Sequence, residues 1–348
     1  MASRIGAAII AALEVPMLRI GLVGAGVIAG LHLTTFPHLK GAKVVGVADP
    51  VVERAKELAA KAGVPAYEDH RALLGPGSKR RVDAVWICTP PFMHAAPATE
   101  FAGAGVHVFC EKPITVDLAE ADRMIAACRN AGVRLMVGHV IRYYPETLRI
   151  KQMLESGELG DPVFAFGRRL TGATLRELSH WARDPKLSGG FAVESGCHEI
   201  DTVRFLAGEV ASISARVHYD DPAHPGFDTD YRALMKLRSG AGAEIAESRY
   251  SGMRQWVWGV TGTKATAISR RRGEVSLVRM GEEEHVGPVD PVTRPDGVNA
   301  SMLAENQAFV DAIVQDREVP IPGEEGRRNV EVILAGHRAS REGVVVEL

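Results

Sequence analysis

The chain has 348 residues, 46% hydrophobic and 24% charged, with 41 Lys plus Arg against 43 Asp plus Glu. That length suits two domains, and the composition is that of a globular protein, neither disordered nor membrane-embedded. The balanced charge excludes a nucleic acid or an anionic membrane as the main partner, so a small-molecule ligand is expected.

Residues 1–16, "MASRIGAAIIAALEVP", carry one arginine and a short apolar stretch, Ile5 to Leu13, without a convincing small-residue cleavage site. A loose N-terminal tail is expected there rather than an export signal, and no apolar run reaches bilayer-spanning length. From residue 18 apolar strands alternate with helices: "LRIGLV", a helix to about Phe36, "KVVGVA", a helix through "VVERAKELAAKAG", then "VDAVWICT". A helix over "HAAPATEFAGAG", the strand "VHVFC", a helix over "DLAEADRMIAACRNAG" and the strand "VRLMVG" follow. Continuously apolar, Val- and Ile-rich strands of this kind are covered by helices on both faces, as in a doubly wound parallel sheet.

The texture changes near residue 138. A helix over "PETLRIKQMLESG" precedes the strand "PVFAFGRRL", a polar loop, and a helix from about Gly190 to Leu206 that Ser188 can cap. Five consecutive strand candidates follow ("ASISARVHYD", "DYRALMKLRS", "AEIAESRY", "WVWGVTGT", "KATAISRR"), the signature of an open, mostly antiparallel sheet. Residues 303–315 and 325–341 read as helical, and "VVVEL" as a final edge strand. The expected organisation is α/β: a Rossmann domain at 17–138 and a sheet-rich α+β domain at 139–348.

The four cysteines (Cys88, Cys110, Cys128, Cys197) lack paired spacing, which argues for reduced thiols in a cytoplasmic protein and against a disulfide framework or a metal site. "LRIGLVGAGVIAGLH" contains Gly24, Gly26 and Ala29 in the G-x-G-x-x-G/A pattern, after a strand and opening a helix, as dinucleotide binding requires. Amides near Val27 and Ile28 would face the pyrophosphate. Asp49 ends the second strand, where it can accept from the adenosine ribose hydroxyls or cap the next helix. A ribose 2′-phosphate would be repelled there, which favours NAD, although nearby Arg54 keeps NADP open. Ligands in such sheets lie beyond the carboxyl ends of the strands, so Thr89, Pro90, Pro91 and His94 in "ICTPPFMH", and Glu111 and Lys112 in "HVFCEKPIT", fall on the cofactor's path.

In the helix after "DPKLSGGF", Glu194, His198 and Asp201 stand at i, i+4 and i+7 and would share one face. A lysine, a histidine and a carboxylate suffice to handle an alcohol proton: Lys112 would stabilise the alkoxide, and His198, at an unperturbed pKa of about 6.5, would take the proton near neutral pH.

"EKP" at 111–113, the glycine fingerprint, "TPPFMH", "VGHVIRYYP" and "DPKLSGGFAVESGCHEID" resemble, in order and spacing, the glucose-fructose oxidoreductase, inositol dehydrogenase and MocA family, over roughly residues 17–348. The resemblance implies a Rossmann domain joined to an open-faced sheet for substrate binding and oligomer contacts, NAD(P)-linked chemistry on a sugar, polyol or related compound, and a homodimer or homotetramer. It makes Lys112 the catalytic lysine and His198 the catalytic histidine, places Glu111 by the nicotinamide ribose, and sets Glu194 where the family usually has Asp. His139 falls near the nicotinamide, and Arg142, Trp181 and Arg183 fall in the substrate pocket. Ile141, where inositol dehydrogenases are often basic, weakens an inositol assignment. The family also contains redox-neutral enzymes that cleave glycosides or epimerise through a transient ketone, and non-catalytic nucleotide sensors. The joint presence of Lys112 and His198 argues against a sensor.

Overall fold

Two sheets organise the chain in the computed structural model, which describes residues 17–75, 81–172, 179–219, 224–288, 294 and 296–348; the tail expected at 1–16 lies outside these. The first sheet holds β1 (Leu18–Val23), β2 (Ala42–Ala48), β3 (Ala66–Tyr67), β4 (Ala84–Ile87), β5 (His107–Glu111) and β6 (Leu135–Gly138). All its pairs are parallel, in the order β3-β2-β1-β4-β5-β6. The strand order reverses between β1 and β4, which opens a crevice at their carboxyl ends. The connecting helices are α1 (Val27–Thr35), α2 (Val52–Ala62), α3 (Ala95–Gly103) and α4 (Leu118–Asn130). Ile20, Leu22, Trp86, Phe101 and Phe109 are fully buried in this layer, the unbroken apolar strands being covered on both faces.

The helix α5 (Pro145–Glu155) leads to β7 (Pro162–Leu170), then to the short α6 (His180–Arg183) and α7 (Pro185–Ser188), and to α8 (Cys197–Ala207). Strands β8 (Val210–His218), β9 (Asp230–Leu237), β10 (Gly242–Ser248), β11 (Gln255–Gly262), β12 (Thr266–Arg271), β13 (Glu274–Arg279) and β14 (Glu282–Pro288) follow. Then come α9 (Ala300–Val314), α10 (Gly323–Glu342) and β15 (Val346–Glu347). The sheet order is β14-β13-β12-β11-β7-β10-β9-β8-β15, with β7 and β10 its parallel pair and the other described pairs antiparallel. In β9 burial alternates residue by residue, the period of a sheet with one covered face. That inner face packs on α8 and α10, while Leu234 lies exposed on the other.

The hairpin of β13 and β14 is not among the strands expected from the sequence. In its acidic run "GEEEH", Glu283 pairs with Arg270 and Glu284 with Arg279, so the charges are cross-strand partners. The expected helix at 303–315 is α9, which Asn299 caps by accepting from Met302 N at 3.0 Å. α9 does not pack on the second sheet's core. Phe309, Val310 and Ala312 enter the core of the first sheet, where the Phe309 ring meets Trp86 edge-on at 5.2 Å and Phe109 at 5.8 Å.

Candidate active site

β1 ends at Gly24, whose N–H donates to Ala48 O at 2.8 Å and whose φ is +91°. A Cβ there would lie 2.8 Å from the carbonyl of Cys88, so the turn requires glycine. Gly26 begins α1, where a Cβ would meet nothing within 4 Å, Val27 is 86% exposed and no side chain caps the helix. The first amides of α1, at Val27 and Ile28, are therefore left for an anion, as a pyrophosphate needs. The Asp49 carboxylate accepts from Ala25 N at 2.7 Å and Val51 N at 2.8 Å, which ties the glycine turn to the end of β2. It does not cap α2, whose N-cap is Val51. Arg54 is exposed in the first turn of α2. After β4, Thr89 keeps a buried Oγ1 without a hydrogen-bond partner, and Pro90 leads into the turn Pro91–Met93.

His94 does not present an open face to a ligand, contrary to expectation. It is fully buried, with Nε2 2.7 Å from Thr89 O and Nδ1 3.1 Å from Pro113 O and Ile114 O. The ring thus fastens the loop after β4 to the turn after Lys112. Glu111, at the end of β5, is also held on both oxygens. Oε1 lies 2.7 Å from His32 Nε2 on α1, and Oε2 accepts from Lys112 N at 3.0 Å. His32 Nδ1 faces Asn306 Oδ1 at 3.0 Å, an oxygen that also accepts from Trp86 Nε1 at 2.8 Å. Burial works to raise the Glu111 carboxyl, but His32 and Lys112 outweigh it and hold the pKa below its ordinary value.

Lys112 projects from the end of β5 toward the second domain, where Nζ donates to Glu194 O at 2.8 Å and stands 3.7 Å from Glu194 Oε1. Burial opposes its charge, yet Glu194, then Cys197 and Glu111, hold its pKa above the ordinary value. Glu194 does not lie in a regular α-helix. Residues Ala192–Gly196 form a π turn that widens the helix before α8, so the expected i, i+4, i+7 face is broken. Ser188 Oγ accepts from Gly190 N at 3.1 Å, but the main cap comes from far along the chain: Asp228 accepts from Phe191 N and Ala192 N. Gly190, at φ +89°, makes room for that carboxylate, since a Cβ would fall 1.9 Å from Asp228 Oδ1.

His198, in the first turn of α8, is buried with Nδ1 unpartnered, and its ring stands 6.4 Å from His139 and 6.5 Å from Trp256. Burial first, then Lys112, Arg169, His139 and Arg272, push its pKa well below the ordinary range, which corrects the expectation of titration near neutrality. Asp201 does not orient His198. Arg142 grips it with Nε to Oδ2 at 2.8 Å and Nη2 to Oδ1 at 2.7 Å, and reaches Glu325 Oε2 at 2.6 Å. Arg142, expected in the substrate pocket, is thereby engaged as a clamp between α8 and α10. His139, expected near the nicotinamide, is 1% exposed, accepts at Nε2 from Asn329 Nδ2 at 3.1 Å, and is lowered by burial to about 4. Trp181 and Arg183 lie half-buried on α6 rather than in a loop.

Sequence reasoning missed a group on the inner face of the second sheet. Arg169 stacks on the Trp256 indole at 4.8 Å, and Trp256 Nε1 donates to Glu199 Oε1 at 2.6 Å. Beside Glu199, burial pushes the Glu247 carboxyl well up, which disfavours its charged form. The pattern "GRRL" holds a weak signal, because strand alternation sends Arg168 outward and Arg169 inward. A cavity of about 1210 Å³ between α4, α10 and β8 contains neither Lys112 nor His198 and lies apart from this cluster.

Residues 18–139 match the sequence profile described as an oxidoreductase family with an NAD-binding Rossmann fold, and residues 151–348 match that family's C-terminal alpha/beta domain. The chain belongs to the Gfo/Idh/MocA oxidoreductase family. Both the resemblance read from the motifs and the α/β fold class are borne out. Among relatives within Gfo/Idh/MocA, the chain is 28% identical over 339 residues to myo-inositol 2-dehydrogenase of Thermotoga maritima, covering 93% of this chain and 96% of that protein. It is 28% identical over 343 residues to the NAD(+)-dependent scyllo-inositol 2-dehydrogenase of Bacillus subtilis, covering 95% and 96%. The fold superposes on levoglucosan dehydrogenase, solved with NADH and levoglucosan, with a TM-score of 0.85 at 20% identity, covering 95% of this chain and 99% of that one. As a member of Gfo/Idh/MocA the protein is an oxidoreductase whose N-terminal domain is the family's NAD-binding fold.

Proposed function

We propose that the protein is a dehydrogenase that exchanges a hydride between NAD and a hydroxyl of a sugar, sugar derivative or polyol. The observation that carries this reading is the convergence, at the carboxyl end of β5, of a charged Lys112 and a neutral, buried His198.

The residues fit a dinucleotide. Gly24, Gly26, Val27 and Ile28 would hold its pyrophosphate, Asp49 its adenosine ribose, with Arg54 alongside, and Thr89, Pro90, Pro91 and Glu111 would line the path to the nicotinamide. Asp49 supports NAD over NADP, since its carboxylate stands where a 2′-phosphate would go. A bound nicotinamide supplies the hydride acceptor or donor. The Lys112 ammonium, fixed on Glu194 O, stabilises oxygen charge as the alcohol loses its proton. His198, uncharged at neutral pH, has a free lone pair to receive that proton. Glu194 keeps Lys112 protonated and supports its position. Trp181 and Arg183 on α6 border the substrate side.

The relatives named as inositol dehydrogenases act on ring polyols by their names, which supports this substrate class. A homodimer or homotetramer joined through the outer face of the second sheet fits the exposure of Leu234 at 62%. Among the described residues no helix is long and apolar enough to cross a membrane, and four reduced cysteines support a cytoplasmic location. The test is a panel of sugars, sugar acids and polyols assayed for NAD reduction by the purified protein. Net NADH formation supports the dehydrogenase; substrate turnover with tightly copurified NAD and no net NADH would replace it by the redox-neutral reading.

A further inference from the structure

Arg169 leaves β7 on the inner face. Gly167, two residues earlier, would place a Cβ 3.0 Å from Glu199 Cβ on α8, and alternate residues of a strand share a face. From the turn between β12 and β13, Arg272 reaches the same Trp256 ring at 5.2 Å and the Tyr144 ring at 5.3 Å. The two guanidinium groups therefore share one indole, and that indole adjoins His198.

Their lack of partners sets them apart. Arg142 and Arg204 turn inward as well, but each is gripped by carboxylates. Among the described residues neither the Arg169 nor the Arg272 side chain has a hydrogen bond or an ion pair; each is held by ring stacking. Lys112, Arg169 and Arg272 bring three cations around the site; Glu194 and Glu111 act on Lys112, and Glu199 takes the Trp256 N–H, so no carboxylate grips either guanidinium. Burial raises the carboxyls of Glu247 and Glu146, which disfavours their charged forms. Two guanidinium groups thus stand beside the site without a gripping carboxylate, as planar forks that match a carboxylate or a phosphate.

We propose that the substrate is anionic, a sugar or polyol bearing a carboxylate or a phosphate, and that Arg169 and Arg272 receive this group while a hydroxyl meets Lys112 and His198. The inference rests on the dehydrogenase reading for the reacting hydroxyl alone. The anion site is tested by calorimetry on the NAD-loaded protein with D-gluconate, D-glucose 6-phosphate and their neutral counterparts D-glucitol and D-glucose, each also assayed for NADH formation. One of the anions is expected to bind about tenfold to hundredfold more tightly than its neutral counterpart. In Arg169→Gln and Arg272→Gln that ratio falls toward one, and Arg169→Lys restores part of it. A preference for gluconate assigns a carboxylate, and a preference for the 6-phosphate a phosphate. Equal binding of charged and neutral compounds, no binding by any of the four, or a ratio that survives both Gln substitutions overturns the proposal. Arginine-dependent anion binding without NADH formation leaves the anion site standing and removes the dehydrogenase reading.

Discussion

Lys112 Nζ donates to the main-chain oxygen of Glu194 at 2.8 Å, while the carboxylate of the same residue stands farther off at 3.7 Å. Position and charge are thus supplied by different atoms of one residue. Glu194→Gln keeps the main-chain anchor and removes the foremost of the charges that raise the Lys112 pKa against burial. The ammonium form is lost at lower pH in the variant, so the basic limb of the pH-rate profile moves to lower pH. Turnover at neutral pH falls by about tenfold or less. A profile that superposes on wild type would remove Glu194 from the site.

Lys112→Met abolishes the charge at the end of β5. Turnover is expected to fall by about a hundredfold to ten-thousandfold. NADH affinity, read by fluorescence titration, should stay close to wild type, because the glycine turn and Asp49 are untouched. Unchanged turnover would show that another group stabilises the alkoxide.

The neutral state of His198 sets the acid side of the pH profile. Buried and surrounded by Lys112, Arg169 and Arg272, it protonates only well below the ordinary value of about 6.5. Alcohol oxidation should therefore hold its rate as pH falls through 6.5 and decline only at lower pH. His198→Gln should cost about a hundredfold or more and abolish that acid limb, and a variant with the limb intact would reassign the base.

Asp49 is expected to give a kcat/KM ratio of NAD over NADP of about tenfold or more, since one unpaired like-charge contact costs on the order of 1 kcal/mol or more. Asp49→Ser narrows the ratio. It also leaves two backbone amides, Ala25 N and Val51 N, without their carboxylate, which costs about 1–3 kcal/mol in denaturant unfolding. A wild-type preference for NADP would overturn the assignment of this residue.

His139 makes the fold sensitive to acid. Its pKa of about 4 in the folded chain lies below the unfolded value of about 6.5. The folded state binds fewer protons between those values, so stability is full above 6.5 and is lost as pH falls toward 4. The loss amounts to about 3 kcal/mol over that window. Urea unfolding of His139→Gln should show a shallower pH dependence than wild type, and parallel slopes would refute the linkage.

The parts of this architecture that local pattern specifies were legible in the sequence. The strands of the first sheet are unbroken apolar runs, and the glycine fingerprint has a single geometry to adopt. Lys112 could be placed because a strand end in a doubly wound sheet is a position in space. The rest depends on partners far away in the chain. His94, Arg142 and His139 look like ligand-binding residues by their chemistry, but Pro113 and Ile114 engage His94, Asp201 and Glu325 engage Arg142, and Asn329 takes Nε2 of a fully buried His139. The π turn at Ala192–Gly196 follows from no local motif, and its cap, Asp228, comes from the loop before β9. Arg169 and Arg272 converge only after β11 has placed Trp256 between them.

The position of α9 has a consequence for how the protein is made. Phe309 and Asn306 complete the aromatic layer of Trp86 and Phe109 and the hydrogen bonds of His32, yet they are synthesised after β7 to β14, all of the second sheet but its last edge strand. The nucleotide-binding half emerges from the ribosome first but is completed only when α9 follows β14. A nascent chain that stops short of Ala300 exposes the open side of that layer, the kind of apolar surface a chaperone binds. Separating the halves at residue 139 would leave the same face uncovered, so the N-terminal half expressed alone should aggregate unless α9 is supplied in trans.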